Sequence, residues 1–299
     1  KNRGILIFEV KMKILLAYIY RVLYKLNRAF WLRPGKSLQK SKLVVVGSFR
    51  FGGGGKTPVC LELAKKLLER KYSVAILLHS IAWDEKRLYE KYVPNAKIFS
   101  TKNRAKLSLE LDGQFDFLLC DDGFEDSRLL PNYTLLLDFG DKANSVRDLF
   151  PVGVCRSLKK DHLNVDEVWR CYGNNLDCDF CIEKIIQSKN YFEGNFDFFT
   201  SNENRFSIVC GLGDPSRFEK DLKKIGCCIE KKYFFCDHSK KIEKRLKEIL
   251  RKNENVIISE KDAMRLDDSF AQYKNLFVAK QQTKIQKEVL EKFLSHLEE

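Results

Sequence analysis

The sequence predicts an α/β fold, a mostly parallel sheet flanked by helices with a second, smaller α/β domain joined by a β linker. Three observations carry that expectation. An apolar run at residues 43–47 leads into four consecutive glycines, Gly52, Gly53, Gly54 and Gly55, followed by Lys56 and Thr57. An amphipathic segment comes next, and a second apolar run fills residues 73–78. A third, residues 115–120, ends in the paired carboxylates Asp121 and Asp122. Strand, loop, helix and strand in this order make one βαβ unit of a parallel sheet.

The first strand and its glycines predict a phosphate-binding turn of the P-loop NTPase kind. Without Cβ atoms the backbone can close around an anion and point its N–H groups inward. The helix opening near Thr57 adds unpaired N–H groups and the positive end of its dipole. Gly52, Gly53, Gly54, Gly55, Lys56, Thr57 and Pro58 are the expected nucleotide contacts. Lys56 can reach the β- and γ-phosphates, and the Thr57 hydroxyl can hold Mg²⁺. The strict pattern G-x-x-x-x-G-K-S/T would place glycine at position 50, where this chain has Arg50. Pro58 suits a first helical turn, and Leu61, Leu63, Ala64, Leu67 and Leu68 recur at helical spacing.

The acids come next. Asp121 and Asp122 stand at the C-terminal end of a strand, where an α/β sheet presents metal-binding carboxylates. Either would complete the Mg²⁺ site begun by Thr57, directly or through water. Trp83-Asp84-Glu85 falls in the expected loop after the second strand, on the same sheet edge. An acid there could act as general base for a hydroxyl nucleophile; the alternative is a surface pair capping a helix over residues 87–92. Arg156, closing the run Phe150-Pro151-Val152-Gly153-Val154-Cys155-Arg156, could clamp phosphate oxygens with its planar donor fork or sit on the surface.

Composition sets the outer limits. With 299 residues, 44% of them hydrophobic, the chain can bury a large core and is not a disordered one. A formal charge of +13 favours anionic partners, although a lysine-rich solvated surface accounts for much of it. The ten cysteines lack even spacing, and Cys60, Cys120 and Cys210 sit in or beside apolar runs, which suits reduced thiols rather than a disulfide framework. Cys178-x-x-Cys181 has no second C-x-x-C or paired histidines to complete a zinc site.

Residues 12–32 are apolar and aromatic but interrupted by Lys13, Arg21, Lys25 and Arg28. The longest uncharged stretch, residues 14–20, is too short for a bilayer span, which takes roughly 20 residues. Arg21, Lys25 and Arg28 fall on one helical face, and Ile19, Leu23, Leu26 and Phe30 on another. A basic helix that also carries Tyr20, Tyr24 and Trp31 either lies in a membrane interface or docks on the protein's own core, or does both along its length. In the second half, residues 180–199 read as a short β linker. Strands follow near 206–210, 228–235 and 255–259, with helices over 215–225 and 240–251, and residues 284–297 form an amphipathic closing helix.

In their order these motifs resemble the tetraacyldisaccharide 4'-kinase family of Gram-negative lipid A biosynthesis. Val46-Gly47-Ser48-Phe49-Arg50-Phe51-Gly52-Gly53-Gly54-Gly55-Lys56-Thr57-Pro58 is similar to that family's V-G-N-x-T-x-G-G-T-G-K-T-P. Asp84-Glu85 resembles its G-D-E-P, Asp121-Asp122-Gly123-Phe124 its D-D-G-F/L-Q-H, and Pro151-x-Gly153-x-x-Arg156 its P-x-G-x-L-R-E. Gly211-Leu212-Gly213-Asp214-Pro215 is similar to G-I-G-N-P, Asp237-His238 to D-H-H, and Ser259-Glu260-Lys261-Asp262-Ala263 to T-E-K-D-A. Departures are Ser48, Arg50 and Gly54 for Asn, Thr and Thr, Glu125-Asp126 for Gln-His, and Ser157 for the Glu after Arg156. The family's S-R-G-Y-G segment is also missing, so Leu78-His79-Ser80-Ile81-Ala82 runs almost straight into Trp83.

The resemblance implies phosphoryl transfer from ATP, with Mg²⁺, to the 4'-hydroxyl of tetraacyldisaccharide 1-phosphate, giving lipid IV-A. It implies Asp84 as activating base, His238 as its proton-sharing partner, and Lys56 and Arg156 as stabilisers of charge on the γ-phosphoryl oxygens. Thr57, Asp121, Asp122 and Glu85 would serve the metal. Expected domains are a membrane-associating helix at 1–35, a P-loop kinase domain at 36–178, and a β linker with the smaller domain at 179–299. A dyad of Asp84 and His238 would require the two domains to close over the substrate. The expected partners are the lipid A precursor and an inner-membrane lipid surface at its cytoplasmic face, with no nucleic acid, and the chain is expected to be a monomer. The rival reading is a membrane-associated P-loop ATPase acting as a regulatory switch. Such proteins carry lysine where this chain has Phe51.

Overall fold

The computed structural model describes residues 2–30, 35–51, 55–162, 165–171, 178–188, 205–236 and 241–298. The chain divides into two units, one of residues 1–181 with 285–299 and the other of residues 182–284.

The first unit is built on six strands: β1 (Lys42–Gly47), β2 (Val74–His79), β3 (Lys97–Thr101), β4 (Phe117–Asp121), β5 (Tyr133–Asp138) and β6 (Glu167–Arg170). Their order across the sheet is β3-β2-β4-β1-β5-β6, and the pairings are parallel. Near-continuous apolar runs such as Leu43-Val44-Val45-Val46 become strands buried on both faces, as a parallel sheet requires. Helices α1 (Asn2–Phe30), α2 (Lys56–Glu69), α3 (Trp83–Tyr92) and α4 (Arg104–Glu110) accompany them. Val59, Cys60, Leu63, Ala64 and Leu67 form the buried stripe of α2, and each large aliphatic side chain so covered contributes about 1.5–3 kcal/mol. Because β1 lies beside β4, Val46 stands opposite Asp121. The glycine loop and the paired carboxylates therefore leave the sheet side by side at its C-terminal edge, where α/β sheets bind ligands.

The second unit carries β7 (Phe180–Ser188), β8 (Arg205–Cys210), β9 (Cys228–Phe234), β10 (Asn255–Ser259) and β11 (Leu276–Ile285), in the order β7-β11-β10-β8-β9. Helix α5 (Pro215–Lys224) packs Phe218 and Leu222 with Phe206 and Ile257, while α6 (Lys241–Leu250) packs Leu246 and Ile249 with Val209 and Ile258. Ile257 and Ile258, adjacent in β10, thus serve opposite faces, the period-two geometry of a strand. The short helix α7 (Glu260–Ala263) opens at Ser259, whose side chain accepts from the Asp262 N–H.

Two segments are placed more closely by the structure than by sequence. Residues 180–188 of the expected β linker form strand β7 of the second sheet, and the remainder, 189–199, lies outside the described residues. The division falls after Cys181 rather than after residue 178, and the closing helix does not belong to the second unit. That helix, α8 (Lys287–Glu298), buries Leu290, Phe293, Leu294 and Leu297, and it returns to the first unit. Phe293 meets Tyr133 and Trp169 edge-on at ring distances of 5.2 and 5.1 Å, Lys42 Nζ donates to the Leu297 carbonyl, and Arg70 pairs with Glu291 and Glu298. An apolar stripe goes where aromatic surface is available to cover it, whatever the chain order.

Helix α1 docks on the first unit through its polar side and leaves its apolar side open. Arg21 is buried in a bidentate pair with Asp161 at 2.8 and 3.0 Å. Tyr24 donates to Glu125 (2.8 Å), and Arg28 donates to the Tyr24 hydroxyl (2.9 Å). The face toward solvent is instead apolar, with Leu15, Ile19, Val22, Leu23, Leu26 and Phe30 all exposed. Sequence alone counts charges on a helix face but cannot see the buried carboxylates that neutralise them. No helix among the described residues is long and apolar enough to cross a membrane.

Candidate functional site

Of the glycine loop, Gly52, Gly53 and Gly54 lie outside the described residues. Gly55 precedes α2 with φ of 60°, a left-handed conformation that glycine adopts without a Cβ penalty. Gly47 at the other end is demanded by packing, since a Cβ there would fall 2.1 Å from the Phe124 Cβ. Lys56 opens α2 with its side chain buried, Thr57 follows, and Pro58 sits within the first turn. Arg50, the residue that breaks the strict glycine pattern, forms an ion pair with Asp141 at 2.7 Å. Its positive charge is thereby answered outside the loop.

Asp121 and Asp122 differ sharply in surroundings. Asp121 ends β4 fully enclosed and accepts from the Tyr89 hydroxyl (2.9 Å), with Thr57 close enough to act on its charge. Burial, and next the Asp122 charge, push its carboxyl up; Thr57, Lys56 and Tyr89 oppose the rise without cancelling it. Its Oδ1 is buried with no hydrogen-bond partner. Asp122 turns outward in a left-handed backbone, φ 58°. It takes Lys56 Nζ at 3.4 Å and both terminal nitrogens of Arg156, at 2.9 and 2.8 Å. Burial alone would raise its carboxyl, but Lys56 and Arg156 outweigh it and hold the group down at about 2.

Arg156 lies against the residues that lead into the glycine run, Phe49 and Phe51. Its guanidinium lies 5.2 Å from the Phe51 ring, its N–H donates to the Phe49 carbonyl (2.6 Å), and Phe51 N–H donates to the Val154 carbonyl (2.8 Å). Residues 149–156 are stitched alongside the loop by these bonds. Asp84 and Glu85 are placed differently from the expected loop: they form the first turn of α3, where carboxylates complement unpaired N–H groups. Asp84 is completely buried and accepts from the Glu85 N–H at 3.0 Å. Asp121, Asp122 and Glu85 do not gather as a three-carboxylate metal cluster, and no such group exists among the described residues. Asp237 and His238 lie outside the described residues.

Mg²⁺ suits what remains. This ion takes one or two carboxylates plus water and phosphate oxygens rather than an all-protein cage. The Thr57 hydroxyl, beside an Asp121 oxygen that is buried and unpartnered, offers that donor set.

Several residues at this edge carry no motif signal. Arg104, buried at the start of α4, donates to the carbonyls of both Asp121 (2.9 Å) and Asp122 (3.1 Å), bracing the left-handed turn between them. Tyr89 had appeared only as a helix residue. His162, given no role from sequence, stacks on Phe124 with ring centroids 4.1 Å apart and sits 3.0 Å from Ser157 Oγ. Ser157 donates to Glu125 at 2.6 Å. Two separate departures from the motif pattern, Glu125 and Ser157, therefore touch. Burial raises the Glu125 carboxyl, but His162, Ser157 and Tyr24 bring it below its ordinary value. In the second unit, the buried Asp262 accepts from Gly211 N–H (3.1 Å) and Ser259 Oγ (2.6 Å), joining the loops after β8 and β10.

Known proteins resemble this chain over most of its length. The family described as tetraacyldisaccharide-1-P 4'-kinase matches residues 11–80 and 79–298. The tetraacyldisaccharide 4'-kinase of Chlamydia trachomatis serovar D is 29% identical, covering 76% of this chain and 72% of its own length. That of Idiomarina loihiensis is 23% identical over 86% of this chain and 84% of its own. A crystal structure of LpxK from Aquifex aeolicus in complex with ATP covers 99% of both chains with a TM-score of 0.64 and 22% identity, a likeness of fold.

Proposed function

The chain belongs to the tetraacyldisaccharide-1-P 4'-kinase family, and from that premise we propose how its residues divide the work of phosphoryl transfer. Membership makes it a phosphotransferase of lipid A biosynthesis, acting on the 4'-hydroxyl of tetraacyldisaccharide 1-phosphate. The observation that carries the assignment of roles is the convergence of Lys56 and Arg156 on Asp122 at the mouth of the glycine loop. Asp122 keeps two cations together that a triphosphate needs. ATP enters between them, with Gly52 to Gly55, Thr57 and Pro58 around its phosphates and Lys56 on the β- and γ-oxygens.

Phosphoryl transfer asks mainly for positioning and charge neutralisation. Lys56 and Arg156 supply the neutralisation as charge gathers on the equatorial oxygens of the transferred group. Thr57 and Asp121 would hold Mg²⁺, with Asp122 as the nearby second carboxylate; when bound, the ion would supply further neutralisation of the phosphates. Asp84 accepts the proton of the 4'-hydroxyl and His238 shares it. Burial of Asp84 keeps that carboxylate out of competition with water.

We also assign the acceptor's location. A tetraacylated sugar resides in a bilayer, and the exposed apolar side of α1 is suited to lie on the cytoplasmic face of the inner membrane. The formal charge of +13 favours anionic lipid and a phosphorylated acceptor alike.

The site assignments are tested by separating ATP binding from transfer. Lys56→Ala is expected to lose ATP retention in equilibrium binding. Asp84→Asn and His238→Ala are expected to keep ATP while transfer falls by about 10²–10⁴-fold, the range for a lost general base. Loss of ATP affinity in both of the latter would remove them from that role.

A further inference from the structure

α1 does more than face outward. Its inner side reaches the backbone of the residue that grips Asp122. The Tyr20 hydroxyl donates to the Arg156 carbonyl at 2.8 Å, while the Arg156 N–H donates to Phe49 at 2.6 Å. The peptide on each side of Arg156 is therefore fixed, one by the continuation of β1 and the other by α1. The Tyr20 ring lies 6.0 Å from Phe51 and 6.4 Å from Phe150, whose rings are themselves 5.3 Å apart. Phe51 in turn lies under the Arg156 guanidinium. One tyrosine thus touches both supports of that guanidinium, its own backbone and the ring beneath it.

We propose that Tyr20 is a positioning residue for phosphoryl transfer: its hydroxyl and ring set where Arg156 presents its donor fork. A helix outside the nucleotide fold becomes part of the catalytic apparatus. The hydroxyl keeps its proton throughout the working pH range, since burial, then the Glu125 charge, push it up to about 12. The bond is a donor contact at every pH where the enzyme is assayed. The rest of the α1 docking runs through Arg21 to Asp161 and Tyr24 to Glu125.

The inference rests on the reading that Arg156 stabilises the transferred phosphoryl group, and a double-mutant cycle on the full chain separates the two. Tyr20→Phe keeps the ring and removes one hydrogen bond, so kcat is expected to fall about ten-fold with KM for ATP nearly unchanged. In an Arg156→Ala background the same change is expected to alter kcat by less than about two-fold, because residues acting as a unit are not additive. Arg156→Lys serves as a second background that keeps the charge should the alanine variant melt early. Arg21→Gln, which loosens the same helix at Asp161, is the control and should give the same fractional loss in both backgrounds. Equal losses for Tyr20→Phe in both backgrounds, or none in either, would overturn the positioning role while leaving Arg156's own role standing. Full activity in Arg156→Ala would overturn both.

Discussion

Asp122 answers to two cations in a backbone conformation that few side chains adopt, and its chemistry predicts an acid limb. Its carboxyl drops from 3.8 to about 2 on folding, after Lys56 and Arg156 overcome the cost of burial. A depressed acid contributes stability above its unfolded value and loses it as pH falls through the folded one. The melting-temperature gap between the wild type and Asp122→Asn should therefore be full above about pH 4 and close toward pH 2; a gap that widens on acidification would contradict the ion pairing. Arg104 makes a second test. One terminal nitrogen of Arg104 makes both bonds, so Arg104→Met, which removes it, loses both, and each charge-assisted bond lost costs about 1.5–3 kcal/mol. A lowered melting temperature with a matching loss of kcat is expected. Nothing in sequence marks Arg104, because its partners are main-chain carbonyls 17 and 18 residues away.

Elements with strong periodicity were legible before any coordinates. The apolar runs became β1, β2 and β4, the stripe beginning near Pro58 became α2, and the paired acids ended β4 beside the glycine loop. Arg156 too was legible as a phosphate-site candidate, and it meets Asp122. What sequence could not carry was pairing across distance. The Asp161 and Glu125 carboxylates turn the basic side of α1 inward, and the aromatic wall of Tyr133 and Trp169 draws α8 back to the first unit. Asp84 reads from sequence either as a loop acid or as one of a surface pair capping the next helix; α3 takes the capping position but buries Asp84 instead of leaving it on the surface. The two faces of α1 then predict different losses. Ile19→Asp with Leu23→Asp should reduce co-sedimentation with anionic phospholipid vesicles and leave the melting temperature within a degree or so, as exposed sites generally do. Arg21→Ala leaves Asp161 without its bidentate partner and should lower the melting temperature instead. Equal effects from both changes would mean that the helix has no inner and outer side.

Two α/β units in one chain share a division of motifs. The glycine loop, the paired acids, Asp84 and Arg156 all belong to the first unit, and the segments resembling G-I-G-N-P and T-E-K-D-A belong to the second, where Asp262 ties them together. The order of these motifs allowed the family to be read from sequence, and the match over residues 11–80 and 79–298 agrees with it. A regulatory ATPase would also use the glycine loop, but it would have no need of a lipid acceptor. The decisive measurement is a single turnover with γ-labelled ATP, Mg²⁺ and tetraacyldisaccharide 1-phosphate in mixed micelles. The label is predicted to appear in a lipid bearing a new 4'-phosphate, at a rate that Lys56→Ala abolishes. Label released only as inorganic phosphate, with the lipid unmarked, would contradict the account.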